Sequence, residues 1–191
     1  MQYLWINPVS AGMCEEDSLK RFLERHGLTR VECRGDWGRI VRERYEASLR
    51  AGVTLADARC PEAVRLLEEI QKKPENESGI ENLKVAPIEP ILLHCARELS
   101  TRPDLADGEK IITTPCQSLA VLGNSLGLEN TRFIAWNCLA GGEVRVRAIE
   151  DSPIPPGYFV GICRKVYNTT AMMDKLCETN GIDNPDAIDY K

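Results

Sequence analysis

Long apolar runs are missing from this chain of 191 residues. No stretch approaches the roughly 18 residues of a membrane-spanning helix. The opening residues, "MQYLWINPVSAGMCEED", have neither a basic head nor a sustained apolar segment, so the sequence reads as a cytoplasmic protein without a membrane span. A basic excess is missing too: 24 Lys and Arg stand against 29 Asp and Glu, for a net charge of -5. The cations are scattered among acids, which removes the phosphate-binding footprint of a nucleic-acid partner. There are only two histidines, and a Cys-His nucleophilic site has no recognisable signature. No C-x-x-C pair occurs, so a local zinc knuckle is excluded. "LGNSLGLEN" lacks the glycine spacing of a nucleotide loop, Cys60 and Arg65 lack the spacing of a phosphatase loop, and there is no repeat or low-complexity tract.

What is present is an ordinary soluble composition, 43% hydrophobic and 28% charged, which excludes disordered and fibrous classes. The length suits one domain. "YLWIN" reads as a strand ended by Pro8, and "EEDSLKRFLERHG" as a helix with Leu19, Phe22 and Leu23 on one face and Gly27 as its stop. "TRVEC" and "VTLADA" read as strands on either side of a helix bearing Trp37, Ile40, Val41, Tyr45 and Leu49. Pro61 suits the first position of the next helix. "PIEPILLHCAREL" reads as a helix, "EKIITT" as a strand, the residues through Leu128 as a helix and "TRFIAW" as a strand. Trp5, Trp37, Trp136 and Phe133 read as core, and His26 as the C-terminal cap of its helix. Alternating strand and helix indicate an α/β fold: a mostly parallel sheet with helices on both faces in a Rossmann-like, three-layer arrangement. Residues 1–191 are expected to form a single domain, with an α/β core over 1–140. A C-terminal extension over 141–180 would pack on that core, ahead of a mobile tail over 181–191. Within the extension, "GGEVRVRAIE" reads as a hairpin or edge segment, "DSPIPPGYF" as a rigid connection and "RKVYNTTAMMDKLCE" as a last helix.

Eight cysteines in a reducing cytosol are thiols or metal ligands rather than disulfides. Parallel sheets bind ligands beyond the carboxyl ends of their strands, and four cysteines fall there: Cys33 after "TRVE", Cys60 after "VTLADAR", Cys116 after "IITTP" and Cys138 after "FIAWN". Cys14 follows the first strand in a less constrained loop. Cys95 and Cys177 sit inside helices, where buried structural thiols are the better reading, and Cys163 has no clear place. Cys60 and Cys116 each precede a helix, where unpaired N–H groups favour the thiolate. Metal ligands this far apart in sequence need a preformed fold to gather them, which suits an iron-sulfur cluster held from separate loops. Packing is the competing reading of each of these thiols.

The same residues resemble a known family. Cys60-Pro61-Glu62-Ala63-Val64, then "LLEEIQKKPE", then "LKVAPIEPILLHCAREL" and "KIITTPCQSLA" are similar, in order and approximate spacing over residues 55–120, to the H-cluster-binding catalytic domain of iron-only hydrogenases. In that family a C-C-P motif and an M-P-C motif each supply a cysteine to a four-iron four-sulfur cluster. The resemblance implies that Cys60 and Cys116 are those ligands, with Cys33 and Cys138 next in line. It also shows departures: Arg59 replaces the proton-relaying first cysteine of C-C-P, Leu119 stands near the place of the lysine that contacts the diiron unit, and the later cysteine motif around paired glycines is absent. Gly141 and Gly142 follow Cys138 without matching it. The implied protein is a shortened relative without hydrogenase activity that binds an iron-sulfur cluster and acts as an electron-transfer, sensor or accessory subunit in anaerobic redox metabolism. Its expected partner is a redox protein or a larger enzyme complex. Two alternatives stay open: a cofactor-free structural or interaction protein with packed cysteines, and a thiol enzyme using Cys60 or Cys116. In the interaction reading "RVRAIEDSPIPPGYF" is the candidate docking edge.

Overall fold

The computed structural model describes residues 1–50, 55–56, 58–72, 84–146 and 166–167. In chain order its elements begin with β1 (Gln2–Trp5), α1 (Pro8–Met13), α2 (Glu16–Arg25), β2 (Leu28–Arg30), α3 (Trp37–Arg50), β3 (Leu55–Ala56) and α4 (Pro61–Gln71). They continue with β4 (Lys84–Val85), α5 (Ile91–Thr101), a 3-10 turn (Pro103–Leu105), β5 (Glu109–Thr114), α6 (Gln117–Ser125), β6 (Thr131–Ala135), α7 (Trp136–Ala140) and β7 (Val166–Tyr167). The edge segment expected in "GGEVRVRAIE" is described only as far as residue 146. The Pro-rich connection, the tail over 181–191, Cys163, Cys177 and all of the last helix except Val166 and Tyr167 lie outside the described residues. Those two pair as a strand instead, as a β-branched and an aromatic residue favour.

The chain divides into two compact units, one of Met1–Asp36 with Leu92–Pro155 and one of Trp37–Ile91 with Pro156–Lys191. The first unit is built on a parallel sheet in the order β2-β1-β5-β6. Leu4 lies opposite Ile111, Trp5 opposite Ile112, Ile112 opposite Phe133 and Thr113 opposite Ile134. Strand side chains alternate between faces, so Leu4, Ile111 and Ile134 share one face and Trp5, Ile112 and Phe133 the other. The first face packs with Ile6, Leu19 and Phe22 of α2, and Ala140 of α7. Each fully buried aliphatic side chain there contributes about 1.5–3 kcal/mol. α2 forms because Leu19 and Phe22 recur at helical spacing while Glu16 and Asp17 in its first turn and Arg25 in its last complement the dipole. His26 occupies its C-cap as expected, and Gly27 follows at φ 60°, the left-handed stop that glycine adopts without strain.

The second face takes α6. A Cβ on Gly123 would stand 2.3 Å from the Phe133 ring, so only glycine lets helix and strand approach this closely. The next residue closes the sheet. β6 is an edge strand, and Phe133 turns its backbone groups outward; Asn124 Nδ2 donates to the Phe133 carbonyl (2.9 Å) and the Phe133 N–H donates to Asn124 Oδ1 (2.8 Å). The side-chain amide thus stands in for a neighbouring strand. Lys110 is buried on this face, and its Nζ donates to the carbonyls of Leu105 (3.3 Å) and Gly108 (3.1 Å), which satisfies the amine and holds the preceding turn.

The second unit repeats the pattern on a smaller scale, with a parallel sheet in the order β4-β3-β7. Leu55 packs with Val41 of α3, while its neighbour Ala56 packs with Leu67 of α4. Adjacent strand residues point to opposite faces, so the two helices cover the two sides of β3. The described residues therefore form an α/β fold with parallel strands. β4, α1 and α7 are too short to leave a periodic signal, and Pro8, read as ending the first strand, is the first residue of α1.

Gly123→Ala is expected to cost about 1–3 kcal/mol by overpacking, and Phe133→Leu in the same chain to recover part of it; urea unfolding of the single and double variants measures both. Asn124→Ala should cost about 1–3 kcal/mol, because it leaves two edge groups of Phe133 without their partner, and the same unfolding curves report it.

Candidate functional site

Both cysteines of the resemblance sit at the same local structure. Cys116 follows buried β5 and is the N-cap residue of α6, in extended conformation, and its carbonyl accepts the Ala120 N–H (3.3 Å). The buried Thr114 hydroxyl also donates to that carbonyl (2.7 Å), tying the cap to the strand end. In the other unit, Cys60 follows β3 and precedes Pro61, and its carbonyl accepts the Val64 N–H (3.0 Å). In each case the cysteine carbonyl takes the first bond of the helix, which defines the N-cap position. Both residues are partly exposed and neither is in a disulfide.

The other candidates are placed differently. Cys138 lies inside α7, one turn beyond β6, and is exposed. Cys33 lies beyond β2, at the opposite edge of the sheet. With strands spaced about 4.8 Å apart, β2 and β6 are separated by about 14 Å, so Cys33 and Cys138 start from opposite edges of the crevice, with Cys116 between them. Cys14 is buried, its thiol donates to the Ser10 carbonyl (3.0 Å), and burial pushes that thiol above its ordinary range. Its role is packing. His94 is buried in α5. The His26 ring packs at a tilt against the Phe22 ring and lies 3.1 Å from Glu143, which Arg25 also contacts at 2.9 Å.

The most organised polar cluster involves a residue that the sequence reading assigned to packing. Glu98 of α5 accepts the backbone N–H groups of Arg34 (2.6 Å) and Gly35 (3.0 Å) on its two carboxylate oxygens. Arg102 donates to the Glu32 carbonyl (2.7 Å) and forms an ion pair with Asp104 (2.6 Å), which Arg34 joins at 3.1 Å. The loop after β2 is thus held on both sides of Cys33, whose Sγ lies 4.0 Å from the Cys95 carbonyl. Cys95 is buried, and its contact with the Cys33 thiol, followed by burial, raises its pKa well above the ordinary thiol range. The signal for this cluster is Cys95-x-x-Glu98-x-x-x-Arg102, whose spacing sets Cys95 and Glu98 on one stripe of α5 and Arg102 directly after its last residue. The sequence reading took this segment as a helix with Cys95 as a buried structural thiol.

For metal binding the donor chemistry fits, since thiols at helix starts suit thiolate ligation. Among the described residues, no three His, Cys, Asp or Glu gather into a group that holds a metal ion. No described helix is long and apolar enough to cross a membrane. Compared with known proteins, the chain matches no family model, no curated protein and no solved structure.

The Asp104 carboxyl is held at about 2 chiefly by its hydrogen bond from Arg102, below its ordinary value of 3.8. A carboxyl lowered in the folded state contributes stability above its unfolded value and loses it as pH falls through the folded one. Asp104→Asn should therefore lower the urea midpoint slightly above about pH 4, with the gap to the wild type closing as pH falls toward about 2. Solvent exposure keeps the effect small.

Proposed function

We propose that the chain is an iron-sulfur protein of the hydrogenase catalytic-domain lineage, without hydrogenase activity, acting as an electron-transfer, sensor or accessory component in anaerobic redox metabolism. Its partner in this reading is a redox protein or larger enzyme complex. One observation carries it: Cys60 and Cys116, the two positions the resemblance implies as ligands, both follow a buried parallel strand and both take the N-cap position of the next helix. A helix start favours a negative ligand beside it, and thiolates are the donors an iron-sulfur cluster takes. Such a cluster would supply one-electron transfer. The chain's own contribution is to present these thiols on rigid strand ends, as the Thr114 hydroxyl does for Cys116.

The loss of hydrogenase chemistry is supported by the residue near the position of the family's lysine. Leu119 is buried in the apolar side of α6, where it offers no charge and no proton. Arg59 likewise removes the thiol that relays protons in the family.

Anaerobic reconstitution with ferrous iron and sulfide, followed by iron analysis and visible spectroscopy, tests the reading. A brown protein is expected, with Cys60→Ala and Cys116→Ala each losing the visible absorbance and no hydrogen evolved from reduced dye by any of them. A colourless, iron-free product would reject the cluster and favour the cofactor-free interaction protein.

A further inference from the structure

We propose that Cys33 and Cys95 form a reversible thiol-disulfide pair that exchanges with a low-molecular-weight disulfide of the glutathione type. The pair uses neither Cys60 nor Cys116 and does not rest on the cluster reading. Its basis is construction. Cys33 sits on a loop clamped at residue 32 by Arg102 and at residues 34 and 35 by Glu98. Both clamps belong to α5 or to the residue after it, and α5 also carries Cys95. With the backbone held on either side, the Cys33 sulfur lies 4.0 Å from the Cys95 carbonyl, against the residue that carries the second thiol. Their proximity is thus built by three polar contacts, two from Glu98 of α5 and one from Arg102 just after it, rather than left to a free loop.

The two thiols also differ in access, as an exchanging pair requires. Cys33 is partly exposed and Cys95 is buried, so an incoming disulfide meets Cys33 first. The Cys33 sulfur bonds to one sulfur of the incoming disulfide, whose S–S bond breaks, and the departing thiol takes the Cys33 proton. The Cys95 sulfur then bonds to Cys33 and displaces the second thiol, which takes the Cys95 proton. Two protein thiols are oxidised to one disulfide, and the small disulfide is reduced to two thiols. The reverse sequence, with excess reduced thiol, restores the pair. Closing the bond ties the β2 exit loop covalently to α5.

The test equilibrates the full chain, without metal, in buffers of stepped reduced-to-oxidised glutathione ratio, then acid-quenches, alkylates and maps the peptides by mass. A Cys33–Cys95 linked peptide is expected to rise and fall reversibly with the ratio, to persist in Cys138→Ser, and to vanish in Cys33→Ser. Cys33→Ser, at a partly exposed loop position, avoids opening a cavity. Linkage should also persist in Cys60→Ala, Cys116→Ala, whether or not that chain has lost a cluster, which separates this pair from the preceding proposal. Glutathione held as a stable adduct on Cys33 with Cys95 still alkylatable, or no linkage at any ratio, would overturn the pair. So would loss of reconstituted visible absorbance in Cys33→Ser, since that outcome makes Cys33 a cluster ligand.

Discussion

Because β1 pairs in parallel with both β2 and β5, the chain leaving each strand must return across a face of the sheet before it can pair again. The carboxyl ends of the unit's strands then lie at one end of the sheet, and α1, α6 and α7, which follow β1, β5 and β6, start there. The fold of the first unit, the close seat of α6 on Phe133 and the placing of Cys33, Cys116 and Cys138 beyond the carboxyl ends of their strands all follow from this direction. The smaller sheet of the second unit obeys the same rule, and it gives Cys60 the same local setting as Cys116.

Within that frame, polar side chains finish what apolar packing leaves open. Asn124 pairs the outer groups of an edge strand, Lys110 takes up two turn carbonyls, and Glu98 holds two N–H groups of a loop that has no strand to join. Each gives a side-chain partner to backbone groups that the strand ladder does not reach. The Glu98 and Arg102 contacts have a further result, because they set the position of a thiol between them.

The cysteines thus fall into groups with different physical characters. Cys14 is packed. Cys60 and Cys116 begin helices at strand ends, the setting that supports the cluster reading. Cys33 and Cys95 meet across a clamped loop, where exchange between two sulfurs is the natural chemistry. Cys138 is exposed on a short helix and belongs to neither pair by position.

The sequence by itself determined the class of the fold and most of its larger elements, since apolar spacing in "DSLKRFLERHG", β-branched runs such as "EKIITT", Pro61 and Gly27 are signals written within a few residues. It also placed Cys60 and Cys116 at strand-helix junctions, because the junction is itself a local feature. The short elements β4, α1, α7 and β7 fell below the length at which periodicity can be read, and Val166 and Tyr167 were taken for a helix that their pairing with β3 overrides. Only the tertiary structure decided that Cys33 meets Cys95 and that Glu98 and Arg102 hold the loop in between. Those contacts join residues more than sixty positions apart, and no local pattern carries the order of strands that brings them together.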